Sequence, residues 1–215
     1  MKYWNLVWFL LLATLNSYAQ SAYPGKESGL NVHASVLGAL KYPGLKIGAD
    51  YLLVSKMVAK AKRNGDRKTI YRNRSITTNL GFYYHEDYNA NLFLQTGYQW
   101  QRINQNGWFS GFEPQIGISR TIIDGTVYRV GDDGAVSKRK LAGDFYFAPS
   151  LTVSFGKDFS MKNPDNPLSL FTKATLFTNL PYNNFVVGRV MVEVGAGYKF
   201  SNLMTHKAKI KQRFK

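Results

Sequence analysis

The chain contains no cysteine. This absence excludes disulfide frameworks, thiolate metal sites, cysteine nucleophiles and a lipid-modified amino-terminal cysteine. Charged residues are also scarce, at 19% of the 215 residues, whereas aromatic residues reach 15%. Such a composition is unusual in soluble helical proteins and is typical of chains whose aromatic side chains meet a lipid interface.

Long apolar runs are missing from most of the chain. No stretch after the first twenty residues approaches the roughly 18 consecutive apolar residues that a transmembrane helix needs. Those first residues combine Lys2, a short apolar core at 6–13, and small residues at Ser17 and Ala19, which is the pattern of a secretory signal peptide. We therefore expect residues 1–19 to be cleaved and the mature chain to be exported. If that chain sits in a membrane, it must do so as a barrel.

Period-two alternation is the main pattern of the mature chain. In 141–156 and 186–200, one face is apolar and the other is rich in Gly, Ala and Ser with a few charges. Turn residues divide the rest into further segments of this kind. The sequence predicts an all-β fold, a closed antiparallel up-and-down transmembrane β-barrel of eight strands over residues 20–200, followed by a basic tail over 201–215. Independent pairing of 126–130 would make ten strands the alternative.

Charged residues on the face opposite the apolar one predict the lining of the barrel. They are four basic and four acidic residues: Lys46, Asp50, Glu113, Asp144, Lys173, Arg189, Glu193 and Lys199. An eight-stranded barrel has room only for side chains, and unpaired charges there are costly. We expect a structural plug of ion pairs rather than a conduit, because an ion-selective pore would favour one sign. A small pore and a soluble lipocalin-like barrel holding an apolar ligand are the alternatives.

The net charge of +15 is concentrated in two places. Segment 56–74 carries seven net positive charges and the tail after Phe200 carries five, so the barrel body is nearly neutral. We expect the basic segment to contact anionic lipid headgroups or lipopolysaccharide phosphates, through Lys60, Lys62, Arg63, Arg67 and Lys68. Nucleic acid is not an expected partner of an exported protein.

The strand count and the usual placement of long loops disagree about the side of the membrane on which this basic segment lies. If the last of eight strands ends in the periplasm, the connection at 54–72 is periplasmic as well. Barrels usually keep their long loops outside. The sequence therefore predicts either ten strands or an exceptional periplasmic hairpin.

The last strand resembles the assembly signal of bacterial outer-membrane barrels, with Glu193, Gly195, Tyr198 and Phe200 at the matching positions. More broadly, the chain is similar to small outer-membrane barrels of Bacteroidota-type bacteria, in segments 41–48, 112–114 and 146–151. The resemblance implies an outer-membrane location in a Gram-negative cell envelope and insertion by the barrel-assembly machinery. It implies no enzymatic activity. We expect a monomer without cofactor or metal, acting in a structural or adhesive role through its loops.

Catalytic signals are weak. His33 and Ser35 share a strand face and resemble the His-x-Ser pair of outer-membrane lipid A deacylases, so a lipid A-modifying hydrolase is an alternative function. That family places the pair near its C-terminus, however, and no acidic orienter can be assigned here. His85 lies beside Glu86 and Asp87 in a turn, which we interpret as solvated. The sequence therefore predicts a protein that is not an enzyme.

Overall fold

The computed structural model describes residues 26–27, 29–39, 42–61, 67–86, 88–132, 134–182, 185–200, 206–207 and 209–210. The predicted signal peptide, residues 62–66 and most of the basic tail lie outside these residues. Within the described part of the chain, no helix is long and apolar enough to cross a membrane.

Eight long antiparallel strands form a closed ring. They are β1 (Leu30–Ala39), β2 (Tyr42–Ala61), β3 (Arg67–His85), β4 (Asn89–Asn104), β5 (Trp108–Ile123), β6 (Ser150–Asp158), β7 (Leu168–Tyr182) and β8 (Phe185–Phe200). Each strand pairs with its neighbours in sequence, and β8 pairs with β1 to close the ring. The prediction of eight strands in an up-and-down barrel is confirmed. The alternative of ten is wrong, because Val127–Val130 pairs with Val136–Arg139 in a separate two-stranded hairpin.

The strands are staggered around the ring. A path that starts at Val54 on β2 and passes from each residue to its partner on the next strand returns to β2 at Pro43, not at Val54. The residues on this path are Arg74, Trp100, Phe112, Val153, Ala174, Val192 and Gly38. A stagger of this kind tilts the strands and fixes the width of the barrel. Each row of paired residues therefore climbs along the barrel from one strand to the next.

The polarity of the barrel is inverted relative to a soluble protein. Among the described residues, 24 buried residues are polar or charged and 12 are hydrophobic. The outer surface instead exposes large apolar side chains on every strand of the ring, including Val36, Ile47, Leu80, Leu94, Ile116, Leu151, Leu176 and Val194. An exposed apolar belt around a polar interior is the pattern of a barrel that spans a lipid bilayer.

Two local irregularities change which residues face inward. Leu53 is an extra residue in β2, since Leu52 pairs with Ser75 and Val54 pairs with Arg74. This β-bulge places Ser55 inside, where its Oγ donates to Asn73 Oδ1 at 2.8 Å. The second irregularity shortens the strand predicted at 141–156: Leu141 has a φ of 52°, and pairing begins with Phe145–Phe147 before β6 itself starts.

The barrel has two distinct ends. At the terminal end, β1, β3, β5 and β7 begin, β2, β4, β6 and β8 end, and the connections 105–107 and 159–167 lie. At the opposite end, the other ends of these strands meet, and the long connection 124–144 leaves β5. The eight-strand count therefore places the basic hairpin of β2 and β3 at the terminal end. The backbone of the tail reaches the same place, because Lys209 and Ile210 pair in parallel with Lys56 and Met57.

Candidate functional site: a layered, charge-paired lumen

An apolar layer fills the lumen near its opposite end. It consists of buried residues from five strands and from the segment before β6: Leu37, Tyr83, Phe93, Ala148, Phe177 and Met191. The ring centroids of Phe93 and Phe177 are 5.2 Å apart, and those of Tyr83 and Phe177 are 6.4 Å apart, edge to face. Arg189 caps this layer, donating to Tyr83 Oη with its guanidinium 5.3 Å from the ring centroid.

The middle of the lumen is held by buried ion pairs. Lys46 Nζ on β2 pairs with Glu193 Oε1 on β8, and both side chains are almost fully buried. Ser35 Oγ on β1 and Thr175 Oγ1 on β7 each donate to Glu193 at 3.2 Å. This carboxylate therefore has a cation and two hydroxyl donors, which is the condition under which a buried charge is tolerated.

A second pair lies across the same layer. Lys173 Nζ on β7 is 3.4 Å from Glu113 Oε2 on β5, and both groups are buried. Asn79 Nδ2 donates to Glu113 Oε1 at 3.3 Å, and Gln115 Nε2 donates to the same oxygen. The two pairs together contribute no net charge to the middle of the barrel.

His33 links this layer to the terminal end. Its Nε2 is 2.9 Å from Asn79 Oδ1, and its Nδ1 is 3.4 Å from Asp50 Oδ2, which also accepts from Asn31 Nδ2 at 2.9 Å. The imidazole is accommodated because Gly48 lies opposite it, and an added Cβ there would lie 2.5 Å from His33 Nε2. A glycine in the interior strand face thus makes room for a polar side chain.

A second apolar layer closes the terminal end. Ile103, Phe109 and Phe171 are buried together, with Tyr71 and Met161 packed against them. The rim beyond it carries a further ion pair, Lys199 Nζ with Asp158 Oδ2, in which the lysine keeps 26% of its side-chain exposure. Charged residues in the middle of the lumen are therefore separated from solvent by apolar side chains at both ends.

Six of the eight charged residues predicted to line the lumen are found there as ion pairs or buried partners: Lys46, Asp50, Glu113, Lys173, Glu193 and Lys199. Arg189 is half-buried beneath the opposite rim. The prediction for Asp144 is wrong, because the turn at Leu141 precedes the strand and leaves Asp144 exposed. Its backbone carbonyl accepts from Thr121 N at 3.0 Å instead.

Sequence reasoning missed two partners. Asp158 continues the inward positions 150, 152, 154 and 156 of β6, so the same alternation could have found it. The pairing of His33 with Asp50 had no local signal, since the two residues are neighbours only through the register of β1 and β2.

The arrangement of His33 and Ser35 differs from that of a base and its nucleophile. Ser35 Oγ donates to Glu193, whereas His33 contacts Asn79 and Asp50. Both side chains are buried inside the lumen rather than on the lipid-facing surface. In the described part of the chain, no group of three or more histidine and acidic side chains could hold a metal ion.

The predicted assembly-signal residues lie on both faces of β8. Glu193 belongs to the central ion pair, and Gly195 lies on the inner face, where an added Cβ would meet Phe171 Cζ at 2.6 Å. Tyr198 and Phe200 lie on the outer face with ring centroids 5.0 Å apart. The predicted lipid-contacting residues Lys62 and Arg63 lie outside the described residues, as do the side chains of Lys60, Arg67 and Lys68.

The fold and its lumen define a class: a closed, eight-stranded transmembrane barrel with a layered, charge-paired interior. No protein-family model and no curated protein matches the chain.

Among solved structures, the chain is similar to the N-terminal β-barrel domain of Pseudomonas aeruginosa OprF. The two are 12% identical with a TM-score of 0.42, over 81% of this chain and 99% of that chain. It is also similar to Neisserial surface protein A, at 12% identity and a TM-score of 0.40 over 81% and 97% of the two chains. The outer membrane enzyme PagL is 16% identical, with a TM-score of 0.34 over 79% and 98%.

Proposed function

We propose that the protein is a monomeric outer-membrane β-barrel with a closed lumen, which acts through its loops and basic segments in a structural or surface-interaction role. The proposal includes an exported, Gram-negative chain of Bacteroidota type, inserted by the barrel-assembly machinery through the signal on β8. The observation that carries it is the layered lumen, in which buried ion pairs lie between two apolar layers.

Charge balance in the lumen supports a plug over a pore. An ion-conducting filter presents one sign of charge or a row of carbonyls to a hydrated path. Here Lys46 and Lys173 are each matched by a glutamate, and aromatic rings lie above and below them. An ion entering this layer would have to break a buried pair, which is costly.

The exposed connections support action at the surface. The connection 124–144 is the longest between barrel strands at the opposite end, and its hairpin exposes Tyr128, Val130 and Val136 together with Arg129 and Lys138. A mixture of aromatic, apolar and cationic side chains suits contact with lipopolysaccharide or another envelope surface.

Planar-bilayer recording of the refolded, mature protein tests the closed lumen. We expect no conductance steps above background, with heat-modifiable gel migration showing that the protein is folded and an added porin showing that the bilayer accepts channels. Reproducible steps from the folded wild-type protein would overturn the proposal. So would full solubility of the mature protein without detergent, which would favour a lipocalin-like barrel.

Lipid A analysis tests the enzymatic alternative. We expect the mass spectrum of lipid A to be the same in cells that express the wild-type protein, the His33→Ala variant or no protein. Loss of an acyl chain that depends on His33 would contradict the proposal and establish a hydrolase.

A further inference from the structure

Four cationic side chains form a cluster on the outer face of β2, β3 and β4 at the terminal end. Lys56, Arg72 and Arg102 follow one another in a single row of paired residues, and Arg74 lies two residues farther along β3. The three arginines are exposed and Lys56 is half-buried. Their inward neighbours on β2 and β3 are the bonded pair Ser55 and Asn73, which fixes the cationic side chains on the outside. We call this group the outer cationic cluster.

Like charges in directly opposed positions on neighbouring strands repel each other. Adjacent strands are about 4.8 Å apart, so the row from Lys56 to Arg102 spans roughly 10 Å. Among the described residues, the ion pairs involve Lys46, Lys173, Lys199 and His33, and none of them involves a member of the outer cationic cluster. A counter-anion from outside the chain would relieve the repulsion.

The cluster lies at the edge of the apolar belt. Arg74 is paired with Trp100, whose ring stacks on Phe112 with centroids 6.1 Å apart and contacts Tyr98 at 4.7 Å. Aromatic side chains of this kind mark the level where acyl chains give way to headgroups. The cations next to them are therefore at the depth of lipid phosphates.

Lys157, a cation at the terminal end that lies outside the cluster, shows a different arrangement. Lys157 Nζ lies 5.4 Å from the Trp108 ring centroid and 5.5 Å from that of Phe159, so its charge is stabilised by aromatic faces. The outer cationic cluster instead presents guanidinium groups side by side. Guanidinium groups bind phosphate oxygens in bidentate fashion.

The end of the barrel at which the outer cationic cluster lies determines which lipids it can contact. The terminal end carries both termini of the barrel, and the long connection 124–144 lies at the other end, which is the arrangement of a barrel whose terminal end faces the periplasm. The leaflet on that side is made of phospholipid rather than lipopolysaccharide. The backbone of the basic tail joins the edge of β2 at Lys56.

We propose that the outer cationic cluster binds the phosphate groups of anionic phospholipids, such as phosphatidylglycerol or cardiolipin, in the periplasmic leaflet. The inference deepens the proposed function and rests on its membrane-spanning barrel, but it does not depend on whether the lumen conducts. Each interfacial Lys or Arg contributes roughly fivefold to affinity for anionic lipid, so loss of three of them should weaken binding on the order of a hundredfold.

Native mass spectrometry of the full mature protein, refolded in detergent and titrated with phosphatidylglycerol, tests the proposal. The test variant carries Arg72→Gln, Arg74→Gln and Arg102→Gln. The matched control carries Arg139→Gln, Lys140→Gln and Lys162→Gln, which removes the same charge from exposed loop positions outside the cluster. Heat-modifiable migration of both variants shows that they are folded.

We expect the wild type and the control to retain phosphatidylglycerol and the test variant to lose it, and a triple Arg→Lys variant at the same positions to keep most of it. Retention should also fall with ionic strength. Equal retention by test and control variants would overturn the proposal. Preferential retention of lipopolysaccharide at the cluster would overturn the assignment to phospholipid. A conducting protein that retains phospholipid would contradict only the closed lumen.

Discussion

Lys46 on β2 and Glu193 on β8 form an ion pair that crosses β1, the strand lying between them. Ser35 on β1 donates to the same carboxylate at 3.2 Å. The three strands that meet where the ring closes thus share one buried acceptor. Backbone pairing at this seam is reinforced by side-chain bonds within the lumen.

Neutralising this acceptor should destabilise the barrel. Glu193→Gln leaves Lys46 buried without a counter-charge, and removing one partner of a buried pair typically costs about 3–5 kcal/mol. Replacing both partners, in Lys46→Met with Glu193→Leu, should restore much of that loss. Urea unfolding in lipid vesicles, followed by tryptophan fluorescence, measures both effects.

Asp144→Asn provides the control for the glutamate variant. It removes a carboxylate that is exposed at the opposite end, so its effect should stay within about 0.5 kcal/mol. If Glu193→Gln and Asp144→Asn unfold at the same urea concentration, the ion pair does not stabilise the barrel.

Gly48 should not tolerate a side chain. In Gly48→Ala, the added methyl group would lie 2.5 Å from His33 Nε2 and also meet Asn79 Oδ1, so it would break the His33–Asn79 contact. Overpacking of this kind costs about 1–3 kcal/mol. Gly38→Ala on β1 is the control, because no heavy atom lies within 4 Å of its added Cβ. The temperature at which the folded gel band disappears should fall for Gly48→Ala and not for Gly38→Ala, and equal temperatures for the two variants would show that Gly48 is not packed against His33.

A charge on the lipid-facing surface should be costly. Leu151, 50% exposed, belongs to the apolar belt of β6, and Leu151→Arg should lose about 2–4 kcal/mol, the cost of an arginine near the middle of a bilayer. Tyr128, 63% exposed, lies in the hairpin beyond the opposite end, where Tyr128→Arg should change stability by no more than about 0.5 kcal/mol. Unfolding in lipid vesicles compares the two, and a harmless Leu151→Arg would show that this surface does not face lipid.

The absence of cysteine allows a direct test of orientation. Single cysteines at exposed positions, Asp132→Cys at the opposite end and Gln105→Cys at the terminal end, can be labelled with a membrane-impermeant maleimide. We expect labelling of position 132 in intact cells and of position 105 only after the outer membrane is permeabilised. The reverse pattern would invert the barrel and place the outer cationic cluster in the outer leaflet.

Alternation along the sequence predicts much of this architecture. Successive side chains of a strand point to opposite faces, so the inward positions of Lys46, Glu113, Lys173 and Glu193 follow once the apolar face is assigned to lipid. Turn residues then separate eight segments, and a closed barrel is the arrangement that leaves no unpaired edge in lipid.

The partners within the lumen could not be predicted in the same way. Which side chains lie at one level depends on the stagger of the ring, and this is set by all eight pairings together. Single-residue irregularities add to the difficulty, since Leu53 shifts the alternation of β2 and the turn at Leu141 removes Asp144 from the strand. Local patterns thus indicate which way a side chain points, whereas its contacts are a property of the whole ring.

The closure seam also has a kinetic consequence. Ser35 and Lys46 are 158 and 147 residues from Glu193 along the chain, so their bonds form when the first and last strands meet. Non-local contacts of such separation slow folding, because the entropy of closing the intervening chain is lost before they form. Until that step, Lys46 and Glu193 are unpaired, so the side-chain bonds at this seam stabilise the barrel only after the ring has closed.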